Sequence, residues 1–168
     1  MGPEEFLGVV LMLPAVDSDL RTETVENGWL LVCFCLSMAM KLVRHGPAAL
    51  PAMAAGFGLP LLLLWPLFRI RALGAGDCKL LAVLGLLLGP EAIVTCMTRM
   101  FLFGGMLALP LLFLDGMARE RFRYLLQYVR AWAETGRLAP YRKKGSRTAI
   151  LHMTVPMFLA VMLWAGGW

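Results

Sequence analysis

Leu73-Gly74-Ala75-Gly76-Asp77-Cys78-Lys79 opens the apolar run Leu80-Leu81-Ala82-Val83-Leu84-Gly85-Leu86-Leu87-Leu88, which Gly89-Pro90 closes. The run is apolar on every side, as expected of a helix with no water-facing surface. Just ahead of it, two glycines let backbone approach closely, and Asp77 puts a carboxyl group at the mouth of the segment. An ionisable group at membrane depth is expensive, so it reads as functional and needs a partner. The candidate partner is Asp19, in Asp19-Leu20-Arg21-Thr22-Glu23-Thr24-Val25-Glu26-Asn27, where another apolar segment meets polar chain.

Composition supports a membrane setting. Of 168 residues, 60% are hydrophobic and 16% charged, which takes the chain out of the water-soluble class. A spanning helix needs about 20 mostly apolar residues. Six segments are candidates: Pro3 to Leu20, Gly28 to Leu42, Pro47 to Phe68, Asp77 to Leu88, Glu91 to Leu114 and Ala149 to Trp164. The expectation is therefore an all-α polytopic integral membrane protein with six transmembrane helices, forming one membrane-embedded domain over residues 1–168. The first segment is not read as a signal peptide, because Glu4 and Glu5 precede it and no small-residue cleavage site follows. Prolines 51, 60, 66, 110 and 156 lie inside these runs, where neighbouring helices can satisfy the freed carbonyls.

Charge gives the orientation. The net charge of +5 is concentrated between Asp115 and Arg147, where nine basic residues outnumber three acids. In a polytopic protein such a run reads as a cytoplasmic loop rather than a nucleic-acid surface. The connections Asp19–Asn27, Arg69–Lys79 and Asp115–Arg147 share one side and carry 13 basic residues; the other side has Lys41 and Arg44. Both termini are thus expected outside, with Asp19 and Asp77 facing the cytoplasm. Within the loop, Phe122, Leu125, Leu126, Val129 and Trp132 recur at helical spacing. That predicts an amphipathic helix, either on anionic lipid headgroups or against the protein's own cytoplasmic face.

The four cysteines show no C-x-x-C spacing and read as small packing residues; Cys33 and Cys35 should face opposite ways on one helix. His45 and His152 are too far apart in sequence to suggest a metal site, and no metal or other cofactor is implied. Arg99 lies inside the fifth segment and calls for a partner that the sequence does not name.

Two carboxyl groups a few ångströms apart do not both ionise, so they share a proton. One can then activate water while the other protonates a carbonyl oxygen, which is the chemistry of an aspartyl protease active near neutral pH. Each acid also has a plainer reading. Asp77 could be a helix N-cap, a position where aspartate is favoured. Asp19 could be a loop acid. Segment 1 reaches spanning length only by continuing through Asp17 and Asp19, and these two face opposite ways, so one of them at most meets Asp77. Asp17 could pair with Arg21 at i,i+4. Composition alone does not choose between them.

These residues resemble the type IV prepilin peptidases, which are GxGD-type membrane aspartyl proteases. The family's first motif is an Asp, an Arg two later, and a Pro-Asn pair at plus seven and eight. Asp19, Arg21 and Asn27 match it, while Glu26 stands where the family has its proline. Its second motif, Gly-x-Gly-Asp-x-Lys-Leu-Leu-Ala and then Leu-Gly, is matched from Gly74 and Gly76 through Asp77 and Lys79 to Gly85. The likeness covers roughly residues 6–115 and touches Thr154-Val155-Pro156 loosely. It implies Asp19 and Asp77 as the catalytic pair, with Arg21, Asn27, Gly74, Gly76 and Lys79 in supporting motif positions.

The resemblance further implies a prepilin or pseudopilin precursor as substrate, its short basic leader cut at the cytoplasmic membrane face. Larger relatives carry a methylating domain after the first span. Only eight or so residues stand there here, as in a peptidase-only form. Lys79 could steer an acidic group or simply snorkel at a helix end. Arg21 could orient a carboxylate or anchor the cytoplasmic side. A reading from another class is a transporter or secretion-system subunit using Asp19 and Asp77 as a proton or cation site. A further one is an intramembrane protease acting on other signal-like helices.

Overall fold

The computed structural model describes residues 2–22, 24–114 and 152–167, with positions 123, 124, 126, 127, 130 and 134 between them. Among the described residues the chain has six α-helices whose bounds are defined, and no strand. They are α1 (Pro3–Thr22), α2 (Asn27–His45), α3 (Leu50–Arg69), α4 (Ala75–Leu88), α5 (Pro90–Leu114) and α6 (Thr154–Ala165).

The centre of the bundle is α4. Cys78 and every residue from Leu80 to Leu88 are buried, so the helix has no outward face. It packs against α1, α2, α3 and α5, while α6 lies against α1 and α5. At 14 residues it is about 21 Å long, too short to cross a hydrocarbon core unaided. It is a hub enclosed by longer helices. Its closest neighbour is α3, which presents the stripe Met53, Gly56, Pro60 and Leu64. Gly56 and Gly85 meet backbone to backbone, and a Cβ on either would overlap the other's carbonyl oxygen. Small residues at a crossing of this kind let membrane helices approach closely.

Among the described residues, three stretches are long and apolar enough to span a membrane: Asn27–His45, Pro47–Arg69 and Pro90–Pro110. Their outward faces carry Leu31, Leu36 and Val43 on α2, Leu62 and Trp65 on α3, and Leu102 and Met106 on α5, all exposed. So much exposed apolar surface is unsuited to water and suits lipid. Of the six expected segments, α1 carries five charged side chains, and α4 and α6 are shorter than a span.

Most boundaries move by one to three residues, α2 for instance running on to His45 rather than ending at Leu42, and two shifts bear on the site. The last helix begins at Thr154, with His152 and Met153 outside it, rather than at Ala149; Pro156 then falls in the first turn, where a missing N–H is harmless. The fourth begins at Ala75, two residues before Asp77. It ends as the sequence suggests: Gly89, with φ of 91°, donates its N–H to the Gly85 carbonyl, and Pro90 starts α5. That left-handed conformation is one only glycine adopts cheaply.

In the basic loop, positions 123, 124, 126, 127, 130 and 134 are helical, and Tyr124 and Leu126 are exposed. The remainder of the expected amphipathic helix, including Phe122, Leu125, Val129 and Trp132, lies outside the described residues. Cys33 is buried and Cys35 exposed, the opposite facing their spacing predicts.

Candidate active site

The inward stripe of α1 is Gly8, Leu11, Met12, Ala15 and Asp19, at spacings of three, one, three and four. Asp19 therefore continues an apolar face into the bundle, and only 8% of it is exposed. Asp17 falls off that stripe. It accepts a 2.8 Å hydrogen bond from Arg21 Nε at the exposed surface. The i,i+4 alternative is thus the arrangement found, and Arg21 is occupied by Asp17 rather than by Asp19.

Asp77 is not the cap residue of α4. Gly74 occupies the N-cap with extended φ and ψ of −72° and 150°. Asp77, three residues on, reaches back and accepts the Gly74 N–H. This is half of a capping box, the half supplied by the acid in the third helical position. A Cβ on Gly74 would come to 3.0 Å from Asp77 Oδ2, so glycine leaves the carboxylate its room. Gly76 is under less constraint; a Cβ there would meet Val25 at an ordinary 3.7 Å.

The structure brings Asp19 and Asp77 to the same end of the bundle, close enough for the two charges to act on each other. Asp19 comes from the last turn of α1 and Asp77 from the first turn of α4. The two motif segments are also tied directly: Lys79 Nζ donates to Asn27 Oδ1 at 2.9 Å. Lys79 thus bridges α4 to the start of α2 rather than standing free. Glu26 is exposed, and its φ of −63° is the value a proline ring would impose, so the turn keeps the proline shape without the proline.

Two residues not named from the sequence as site residues lie against Asp19. Thr154 is fully buried at the start of α6, and its hydroxyl donates to Asp19 Oδ2 at 2.7 Å. His152 Nδ1 lies 3.4 Å from the same oxygen, and this atom is buried without a hydrogen-bond partner among the described residues. The loose Thr154-Val155-Pro156 likeness was the available signal for the first, and nothing in the sequence pointed to the second. Arg99 remains as the sequence left it, with Nη1 buried and unbonded.

Among the described residues no group of three or more His, Cys, Asp or Glu is arranged to hold a metal. Two surface clefts, one along Leu88–Thr95 with Trp164 and one between Lys41, His45 and Ala48–Met53, lie away from both aspartates.

A helical bundle with a lipid-suited exterior and two acids at one end has the build of a membrane protein. The model of the type IV leader peptidase family matches residues 6–109, more than half of the chain and inclusive of both aspartates, and the chain belongs to that family. It is accordingly a protease of the leader-peptidase kind, with pilin precursors as its general substrate class. No curated protein and no solved structure matches it significantly.

Proposed function

We propose that the protein is a membrane aspartyl endopeptidase in which Asp19 and Asp77 share one proton and activate one water between them. The observation that carries this reading is that these two acids, from helices α1 and α4, interact at one end of the bundle while, among the described residues, the two cations of the same motif segments are engaged elsewhere. Arg21 goes to Asp17 and Lys79 to Asn27. A carboxyl pair without a cation between its members favours one protonated and one ionised group, the state that acid–base hydrolysis requires.

The substrate would be a prepilin or pseudopilin precursor with a short basic leader, cleaved where its apolar helix begins. Orientation follows the basic residues: Arg21, Arg69, Arg71 and Lys79 lie towards the end of the bundle that holds the acid pair, which favours the cytoplasmic side for that end. Both termini would then be outside. Six crossings fit this topology if α1, α4 and α6, embedded among the three long helices, also traverse the bilayer. The basic segment 115–147 would rest against anionic lipid.

The test is processing of a coexpressed type IV prepilin reporter by Asp19→Asn and Asp77→Asn. Each variant should accumulate at wild-type level in the membrane and leave the leader uncut. Leader removal by both variants would sink the proposal. Ion flux that depends on the same two acids, in a wild-type chain that cuts no precursor, would point to the transport reading instead.

A further inference from the structure

The environment of Asp19 differs from that of Asp77 in a way that assigns each a role. Asp77 receives one backbone donor, the Gly74 N–H. Asp19 Oδ2 receives the hydroxyl proton of Thr154, from a residue 135 positions away in sequence. A threonine hydroxyl has a single proton to give, and an ionised Asp19 can only accept it. His152 Nδ1 lies 3.4 Å from the same oxygen, longer than a good hydrogen bond, with no hydrogen-bond partner among the described residues. A protonated imidazole at that position would add an ion pair to the same oxygen.

The groups facing Asp19 among the described residues are few. From α4 there is Asp77, while Lys79 is turned to Asn27. From the α6 side there are Thr154 and His152. On α1 itself, Asp17 and Arg21 bond each other at the surface. The donors that favour an ionised Asp19 thus come chiefly from α6.

We infer that Thr154, backed by His152, is a positioning residue that holds Asp19 as the ionised, water-activating member of the pair and leaves Asp77 as the protonated member. The inference rests on the protease reading above and goes beyond it. With Oδ2 occupied by Thr154, Oδ1 of Asp19 is the oxygen left for water. Asp19 takes a proton from the water as its oxygen bonds to the scissile carbonyl carbon, and Asp77 gives its proton to the carbonyl oxygen. In the second half Asp19 returns its proton to the leaving nitrogen, Asp77 recovers one from the gem-diol, and the C–N bond breaks. Both acids end in their starting states.

The test is cleavage kinetics against pH for the full chain in membranes, using a prepilin reporter with a basic leader. Thr154→Val keeps the shape and removes the donor. It should lower kcat about tenfold or more, with KM within about twofold, and move the acid limb of the rate profile up by about one pH unit. Thr154→Ser restores the hydroxyl and should recover most of kcat and the original limb. His152→Phe should move the limb in the same direction by less.

Wild-type kcat and an unmoved profile in Thr154→Val would overturn the inference. So would equal loss in the Val and Ser variants, since that would mark a packing role. Asp19→Asn keeps the two levels apart: if it still cleaves, the protease pair is wrong, and if it is dead while Thr154→Val is normal, only the assignment of Thr154 fails.

Discussion

The two ends of α1 carry carboxylates treated in opposite ways. At its start, Glu4 sits between Lys41 and His45 of α2, with Oε2 at 2.6 Å from Lys41 Nζ and Oε1 at 2.7 Å from His45 Nε2. At its far end, Asp19 is met by a neutral hydroxyl, a histidine at 3.4 Å and another acid. Glu4 is neutralised by a cation that shares its burial, which makes it a latch between α1 and α2. Asp19 keeps its charge answerable to Asp77. A carboxylate matched by a cation holds a structure together; one matched by another acid is left free to exchange a proton.

The contrast can be broken most severely at the α3–α4 crossing, where Gly85 lies in the last turn of α4. Gly85→Leu would drive a side chain into the Gly56 carbonyl, and the shift needed to relieve it should cost about 1–3 kcal/mol or more. The expected result is loss of folded protein from the membrane, read by detergent-resistant melting; normal melting would mean the crossing is looser than described.

Lys79→Met keeps the stem of the side chain but removes the bond to Asn27. Because it acts only at the acid end, it should reduce leader cleavage several-fold, by about 1 kcal/mol in kcat/KM, with little change in melting. An unchanged rate would show that the tie between the two motifs is incidental.

Glu4→Gln tests the other end. It should lower the melting temperature by the equivalent of about 1 kcal/mol, with cleavage per folded molecule unaffected. The His45 contact contributes the smaller part, because that side chain is about half exposed, at 51%. If cleavage fell while stability held, the two ends would be coupled and the contrast drawn here would be wrong.

The smallest effect is expected of Glu26→Pro. The backbone already has φ of −63°, and the Glu26 carbonyl, which a proline retains, accepts the Leu30 N–H. The variant should cleave normally and gain at most about 0.4–1 kcal/mol in stability. A marked loss of stability would mean the turn is not proline-shaped.

Much of this organisation can be read along the chain. The apolar run after Asp77 predicts a membrane helix, and a helix is there, although at 14 residues it is the enclosed hub α4 rather than a full span. Gly89-Pro90 predicts a break, and the break is there. The motif around Asp77 singled out the acid that lies in the first turn of α4. These features are legible because each depends on residues within a turn or two of one another, where periodicity, capping and backbone preference act directly.

Other features came only from the tertiary structure. Asp17 and Asp19 are equivalent in composition, and only the packing of α1 on its neighbours put the Gly8–Ala15 stripe, and so Asp19, inside. The pairing of Gly56 with Gly85, the Glu4–Lys41–His45 latch and the Thr154 bond to Asp19 join residues that no local rule connects. The sequence by itself determined which segments are helical, which are apolar and which ends carry charge. The crossing of the helices decided which side chains meet, because a contact between distant segments depends on how whole helix faces fit, and that is a property of the assembled bundle.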